Sequence, residues 1–229
     1  MTAGITVYNT GNIVQIDETY RNMVLLRSGQ FTANLANTTA DLWYKNFLQD
    51  TWVKTTKHAQ LFVTCPNPGI TMGAGSYRNG YKIPNFFYPQ GQSVTFQFYI
   101  YDLVGAALSD RVGLQIFDGA ATLVYSAYDY PLRLIHHFRA SGQGTGTLVY
   151  TAPHSNIAIA SAGGGYAWDD DGVDSESFFT RLWTAGAQVH ARTVSYTNPG
   201  GAGGGGYGDP DPVVQVADIS NVPLNYVRP

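Results

Sequence analysis

The sequence is short of charge, of cysteine and of long apolar runs, and each shortage removes a class of protein. Charged residues make up only 13%, with 13 Lys and Arg against 16 Asp and Glu, for a formal net charge of −3. Nucleic acid is therefore not expected as the main partner, because phosphate binding calls for a basic stripe. The single Cys65 rules out an internal disulfide framework and any multi-cysteine zinc site, and is expected as a buried thiol. No apolar run reaches the ~18 residues of a membrane-spanning helix. The opening MTAGITVYN has no basic region followed by an apolar one, so no secretory signal is expected, and synthesis in a cytoplasm is. Chemical motifs are missing too. There is no HExxH, no GxSxG elbow and no P-loop, since GAGGGGYGDP lacks the GK[ST] ending. No cofactor is expected, and no enzymatic activity.

What the chain has in quantity is aromatic residues (14%, with 16 Tyr) and turn formers (26 Gly, 11 Pro). That balance belongs to sheet proteins with many turns. The fold class expected is mainly β, with at most one or two short helices. The best helix candidate starts near Thr39, where Ala40, Trp43, Tyr44, Phe47 and Leu48 fall at helical spacing.

An internal repeat organises the rest. Gly4 to Leu26 (GITVYNTGNIVQIDETYRNMVLL) is echoed from Gly113 to Ile135 (GLQIFDGAATLVYSAYDYPLRLI). Each copy opens on Gly, alternates apolar positions, and gives an aromatic (Tyr8, Phe117) and a turn former (Asn9, Asp118). An apolar pair (Ile13-Val14, Leu123-Val124), a tyrosine-rich bend and a third apolar run follow, and the alignment needs one small insertion. Each copy reads as a hairpin plus a third strand.

Beyond the first copy, His58–Thr64 reads as a buried strand and Ile70–Gln92 as an aromatic-studded loop. Ser93–Asp102 is the strongest strand, with Val94, Phe96, Phe98 and Ile100 on one face and Thr95, Gln97, Tyr99 and Tyr101 on the other. Strands are expected at Thr147–Thr151, Asn156–Ser161, Ala187–Tyr196 and Val213–Val216, with Phe178–Trp183 a short aromatic one. Gly-rich loops are expected at 163–174 and 200–208. Because events after each hairpin run in similar order, two β-sandwich-like, jelly-roll-like units are expected, 1–105 and 106–229, with their boundary near 103–111. A single larger sandwich holding both hairpins is the alternative.

Few residues stand out as a site. The run Asp169-Asp170-Asp171-Gly172-Val173-Asp174-Ser175-Glu176 reads as a solvated loop, with a calcium site on Asp169, Asp171, Asp174 and Glu176 as the alternative. Its Gly comes too early for an EF-hand. His136 and His137, adjacent on a strand, point to opposite faces and are poorly placed to share a metal. Tyr77, Tyr81, Phe87 and Tyr88 either cover a core edge or stack on a sugar or another subunit. Tyr166, Trp168 and Tyr207, near the glycine tract, are either plain loop residues or an adhesive tip.

The repeated opening resembles a module of tail-tip, baseplate and tail-fibre proteins of long-tailed bacteriophages. GITVYNTGNIV and GLQIFDGAATLV carry the resemblance, and the second copy departs from it with Asp118 for Asn and Ala120-Ala121 where the turn favours Gly. The resemblance implies a virion structural protein of the tail that assembles as a homo-oligomer, commonly a trimer, with other tail or baseplate proteins. On that reading the first unit attaches to the tail, and the second faces outward towards a host glycan or protein receptor. A carbohydrate-binding β-sandwich, working as a lectin-like module, is the alternative of a different class. A hydrolase with an unrecognised triad or carboxylate pair is the third.

Overall fold

The computed structural model describes residues 7–8, 14–16, 22–34, 56, 58–65, 71–78, 81–87, 93–103, 114–117, 120–121, 123–140, 147–163, 166–170, 174–199, 207–209 and 211–228. Among the described residues there is no helix; regular structure is all strand. The helix expected from Thr39 falls outside the described residues.

The first half supplies β1 (Val7–Tyr8), β2 (Val14–Ile16), β3 (Met23–Asn34), β4 (Gln60–Thr64), β5 (Thr71–Arg78), β6 (Tyr81–Phe87) and β7 (Ser93–Leu103). Next come β8 (Gln115–Phe117), β9 (Leu123–Ser126), β10 (Leu134–Arg139), β11 (Thr147–Thr151) and β12 (Ile157–Gly163). The chain ends with β13 (Tyr166–Asp170), β14 (Asp174–Ala185), β15 (Gln188–Pro199), β16 (Tyr207–Asp209) and β17 (Val213–Asp218).

Two sheets form the β-sandwich-like body. One is six-stranded in the order β10-β17-β12-β4-β7-β3, the other five-stranded in the order β11-β15-β14-β13-β16. Their facing sides share one core. Val63, Phe96, Phe98, Ile100, Ile157, Ile159, Val214 and Val216 come from the larger sheet, and Leu182, Val189 and Ala191 from the smaller. The carbonyl of Cys65, just past β4, accepts the Thr184 N–H at 2.8 Å and so ties the two sheets at one end. Cys65 itself is fully buried, and burial pushes its thiol up to about 12.

The six-stranded sheet is buried on its other side as well. Leu25, Phe62, Tyr99, Tyr101, Ala158, Ala160 and Ala217 make a second core there. Tyr130, Leu132, Ile219, Val222 and Tyr226 pack against it, from the bend after β9 and from the tail after β17. The alternation read in β7 is observed: Phe96, Phe98 and Ile100 enter one core, Tyr99 and Tyr101 the other.

Three expectations are corrected. The boundary at 103–111 does not separate two cores, because β3, β4 and β7 share a sheet with β10, β12 and β17. The halves meet where β12 lies beside β4, with Ile159 opposite Val63, both fully buried. Neither half covers its own apolar strands, so the units 1–105 and 106–229 merge into the larger sandwich held as the alternative. The segment read as a loop over 70–92 contains the hairpin β5–β6; its glycines fall where the register slips between Gly73 and Ser76. Pro84 is accommodated in β6 because that hairpin is a separate two-stranded sheet. The loop read over 163–174 is mostly strand, as β13 pairs along β14 from Tyr166–Phe179 to Asp170–Ser175.

The repeat is real in three dimensions. In the hairpin β1–β2, Val7 faces Ile16 and Tyr8 faces Val14, with a bulge between Val7 and Tyr8. In β8–β9, Ile116 faces Tyr125 and Phe117 faces Leu123, with the bulge at the matching step. Partner spacings are the same in the two hairpins, so Val14 matches Leu123 and no insertion is needed up to that point. The third strand of each copy, β3 or β10, forms one edge of the six-stranded sheet. Ala121 has φ 61°, a left-handed conformation that costs a non-glycine residue about 1 kcal/mol; the matching residue of the first copy is Asn12, a type that tolerates it. At the β14–β15 turn, Gly186 with φ +60° stands between Ala185 and its partner Gln188, as a type II′ turn requires.

Gly29 is fixed by packing. It lies opposite Phe98, and a Cβ there would sit 2.8 Å from Phe98 Cζ and 2.9 Å from Cε1. Phe98 is buried in the shared core, so its ring must shift to admit the Cβ. Gly29→Ala is expected to destabilise the fold by about 1–3 kcal/mol, the usual cost of overpacking, whereas Ala121→Gly is expected to stabilise it by about 1 kcal/mol. Denaturant unfolding of the two variants checks both signs; equal midpoints would remove the steric account.

Candidate functional site

The aromatic residues singled out in the sequence fall into two groups. Tyr77, Tyr81 and Phe87 belong to the β5–β6 hairpin, where Tyr77 pairs with Lys82, Tyr81 with Arg78 and Phe87 with Thr71. Tyr88 lies outside the described residues. The second group gathers at the far end of the five-stranded sheet. Trp168 on β13 is the cross-strand partner of Tyr207 on β16, and Tyr166 is the partner of Asp209. Sequence-distant aromatics thus become neighbours because β16, just after the glycine tract, adds to the edge of β13.

The same end collects the acidic run. Asp169 lies opposite Glu176, and Asp174 opposite Pro199, the last residue before the glycine tract. Asp171 is outside the described residues. Among the described residues no three His, Cys, Asp or Glu are gathered to hold a metal, and no helix is long and apolar enough to cross a membrane.

Two histidines, His136 and His190, stack on aromatic rings. The His136 ring stacks on Tyr150 at 4.3 Å between centroids and 15° between planes, bridging the edge strands β10 and β11. His190 lies parallel to Trp183, its cross-strand partner, at 5.1 Å. His136 and His137 have ring centroids 6.4 Å apart.

A polar cleft of about 250 Å³ opens at the end where Cys65 and Thr184 tie the sheets. Among the described residues it is lined by Gln30, Thr64, Thr95, Gln97, Ser155 and Thr184, with Phe96 and Gly186, none of them charged. Part of its hydrogen-bonding capacity is already used: Thr64 Oγ1 donates to the Ile157 carbonyl at 2.9 Å, and Tyr99 Oη to Gln97 Oε1 at 3.0 Å. Amides and hydroxyls without charge suit a neutral polar ligand.

Three buried carboxylates were not singled out in the sequence. Asp102, at the end of the apolar run of β7, accepts the amide and hydroxyl of Thr56 and the Leu103 amide. Asp129, in the bend of the second repeat, receives Arg228 Nε at 2.7 Å and Nη2 at 3.2 Å. Asp218, at the end of β17, meets Arg133 Nη1 at 3.0 Å and His154 Nε2 at 3.5 Å. A signal for two of them was available, since Asp102 and Asp218 each directly follow a run of core residues. Asp102 and Asp218 hold other chain segments to strands of the six-stranded sheet, and Asp129 joins the bend to the tail, so all three act as structural fasteners.

No family model, curated protein or solved structure matches this chain. The functional reading therefore stands on the chain's own sequence and geometry.

Burial pushes the Asp218 carboxyl up, but hydrogen bonds from the Ser220 hydroxyl and amide, with the charges of Arg133 and His154, outweigh it and hold the carboxyl below its ordinary value. A depressed carboxylate stabilises the fold above its unfolded pKa of about 3.9 and loses that contribution as pH falls through its lower folded value. Stability is expected to drop below about pH 4, and Asp218→Asn to be less stable at neutral pH with a shallower acid limb. Removing one partner of the buried Asp129–Arg228 pair strands the other, so Arg228→Ala is expected to cost about 3 kcal/mol. Unfolding midpoints across pH 2–7 check both; an acid limb unchanged in Asp218→Asn would remove that carboxylate from the account.

Proposed function

We propose that this chain is a structural component of a bacteriophage virion, of the tail tip, baseplate or tail fibre, and that it works by assembly rather than catalysis. The observation that carries the reading is the duplicated hairpin. The motif resembling phage tail modules occurs twice, with the same strand spacing and the same bulge, and each copy delivers an edge strand of one sheet. A short sequence likeness that recurs as one geometry is better support than composition alone. Aromatic, glycine-rich strand ends fit a role in sticking to other proteins, because Tyr and Trp bring large contact area at low entropic cost. On this reading the end of the sheet with Tyr166, Trp168 and Tyr207 is the surface offered to a sibling subunit or host receptor.

A carbohydrate-binding module is the second reading, and the cleft, whose described lining of Gln30, Gln97, Ser155 and three threonines carries no charge, favours it. Neutral amides and hydroxyls pair with sugar hydroxyls without the desolvation cost of a charge.

Two measurements separate these. Mass spectrometry and immunogold electron microscopy of virions produced by the host strain are expected to place the chain on the tail; its absence from purified particles would sink the assembly reading. Glycan-array binding that is lost in Gln97→Ala would favour the second reading instead.

A further inference from the structure

We infer that the outer edge of β3, at Gln30 and Thr32, is a strand-pairing site through which two copies of this chain join about a two-fold axis. The inference deepens the assembly reading and rests on it only in that copies of the chain meet.

The edge of β3 is occupied along part of its length. Near its start, Leu25 N–H donates to the Tyr130 carbonyl and Leu132 N–H to the Met23 carbonyl, each within 2.9 Å. A bulge between Leu25 and Arg27 then re-aims the strand. The next stretch takes the tail: Ser28 N–H donates to Tyr226 at 3.0 Å and Arg228 N–H to Leu26 at 2.8 Å, around the bridge from Arg27 to Val227. The tail leaves at Asn225, whose left-handed φ of 62° turns it away, and Ser28 Oγ holds that turn by donating to the Pro223 carbonyl at 2.5 Å.

Beyond that point β3 continues to Asn34. Because the Ser28 amide points away from β7, and the ladder with β7 runs without irregularity from Arg27 to Asn34, the amides of Gln30 and Thr32 point the same way. Among the described residues no backbone group pairs with them on that side. Both residues are exposed. Where the tail departs, a cavity of about 230 Å³ lies beside the edge, lined in part by Gly29, Gln30, Asn225 and Val227. The edge therefore has both open hydrogen-bonding groups and room for a backbone.

A second copy is the occupant that the chemistry favours. The stretch Ser28 to Asn34 (SGQFTAN) has no Lys, Arg, Asp, Glu or Pro, the residues by which edge strands are usually protected from pairing. An antiparallel two-fold centred on Phe31 brings Gln30 of each copy opposite Thr32 of the other. Each pair exchanges two N–H···O=C bonds, four in all, and no like charges meet. Such a self-complementary patch is what an isologous contact needs.

The test is sedimentation equilibrium of the full chain, as wild type and as Gln30→Pro and Thr32→Pro. Proline at an outward-facing edge position removes the donor there without touching the β7 ladder. The wild type is expected to dimerise, and each variant to raise the dissociation constant at least ~10-fold. Amide exchange of Gln30 and Thr32 in the wild type is expected to slow as chain concentration rises. A wild type that is monomeric throughout, or variants that dimerise with unchanged strength, overturns this contact. If a proline variant fails to fold, exchange in the wild type decides, and rates independent of concentration overturn it. Failure of this contact leaves the assembly reading standing, since that reading is judged by the chain's presence on virions.

Discussion

The six-stranded sheet is apolar on both faces, and this one constraint shapes everything else described in the molecule. A sheet with a single buried face needs one covering layer; this one needs two. The five-stranded sheet covers one face through Leu182, Val189 and Ala191. Among the described residues no third sheet packs on the other face. It is closed by irregular chain, the bend around Tyr130 and the tail around Tyr226, whose rings pack edge to face at 5.2 Å. Irregular chain carries backbone groups that must be satisfied when buried. Hence the tail and bend pair with the edge of β3 as short extended segments, and Arg228 locks one to the other through Asp129.

The repeat gains a physical meaning from this arrangement. A hairpin that leads into an edge strand is a device for ending a sheet, and two copies end it on both sides. The copies are not used alike. The bend of the second copy reaches back to pair with the third strand of the first, Val24 bridging Pro131. Two similar pieces of sequence thus close a single core, which is why a cut between them exposes apolar strands on both sides.

Much of the fold was legible in the sequence: the mainly β class, both hairpins, the two faces of β7 and the buried Cys65. What misled was the equation of glycine and proline with loops. In β5–β6 and β13 those residues mark bulges and strand ends, and pairing overrides their local preference. The domain cut failed for a different reason. Similar order of elements along a chain says nothing about which strands pair, and the join of β12 to β4 leaves no local trace. For the fasteners Asp102, Asp129 and Asp218 the sequence gives no sign of the distant partners Thr56, Arg228 and Arg133, although Asp102 and Asp218 stand at the ends of core runs. At the candidate contact surface, the sequence offered Tyr166, Trp168 and Tyr207 either as plain loop residues or as an adhesive tip. Only the register of β13 with β16 made Trp168 and Tyr207 neighbours.

The two ends of the sandwich differ in chemistry. At one end Cys65 and Thr184 hold the sheets together, and a neutral cleft opens beside them. At the other the β14–β15 ribbon runs on past the core residues Leu182, Val189 and Ala191, and β13 and β16 widen it. That widened part carries the acidic pair Asp169–Glu176, the aromatic pair Trp168–Tyr207 and the departure point of the glycine tract at Pro199. Register alone gathers these groups: β15 ends where the glycine tract begins, and β16, which follows the tract, returns to pair with β13.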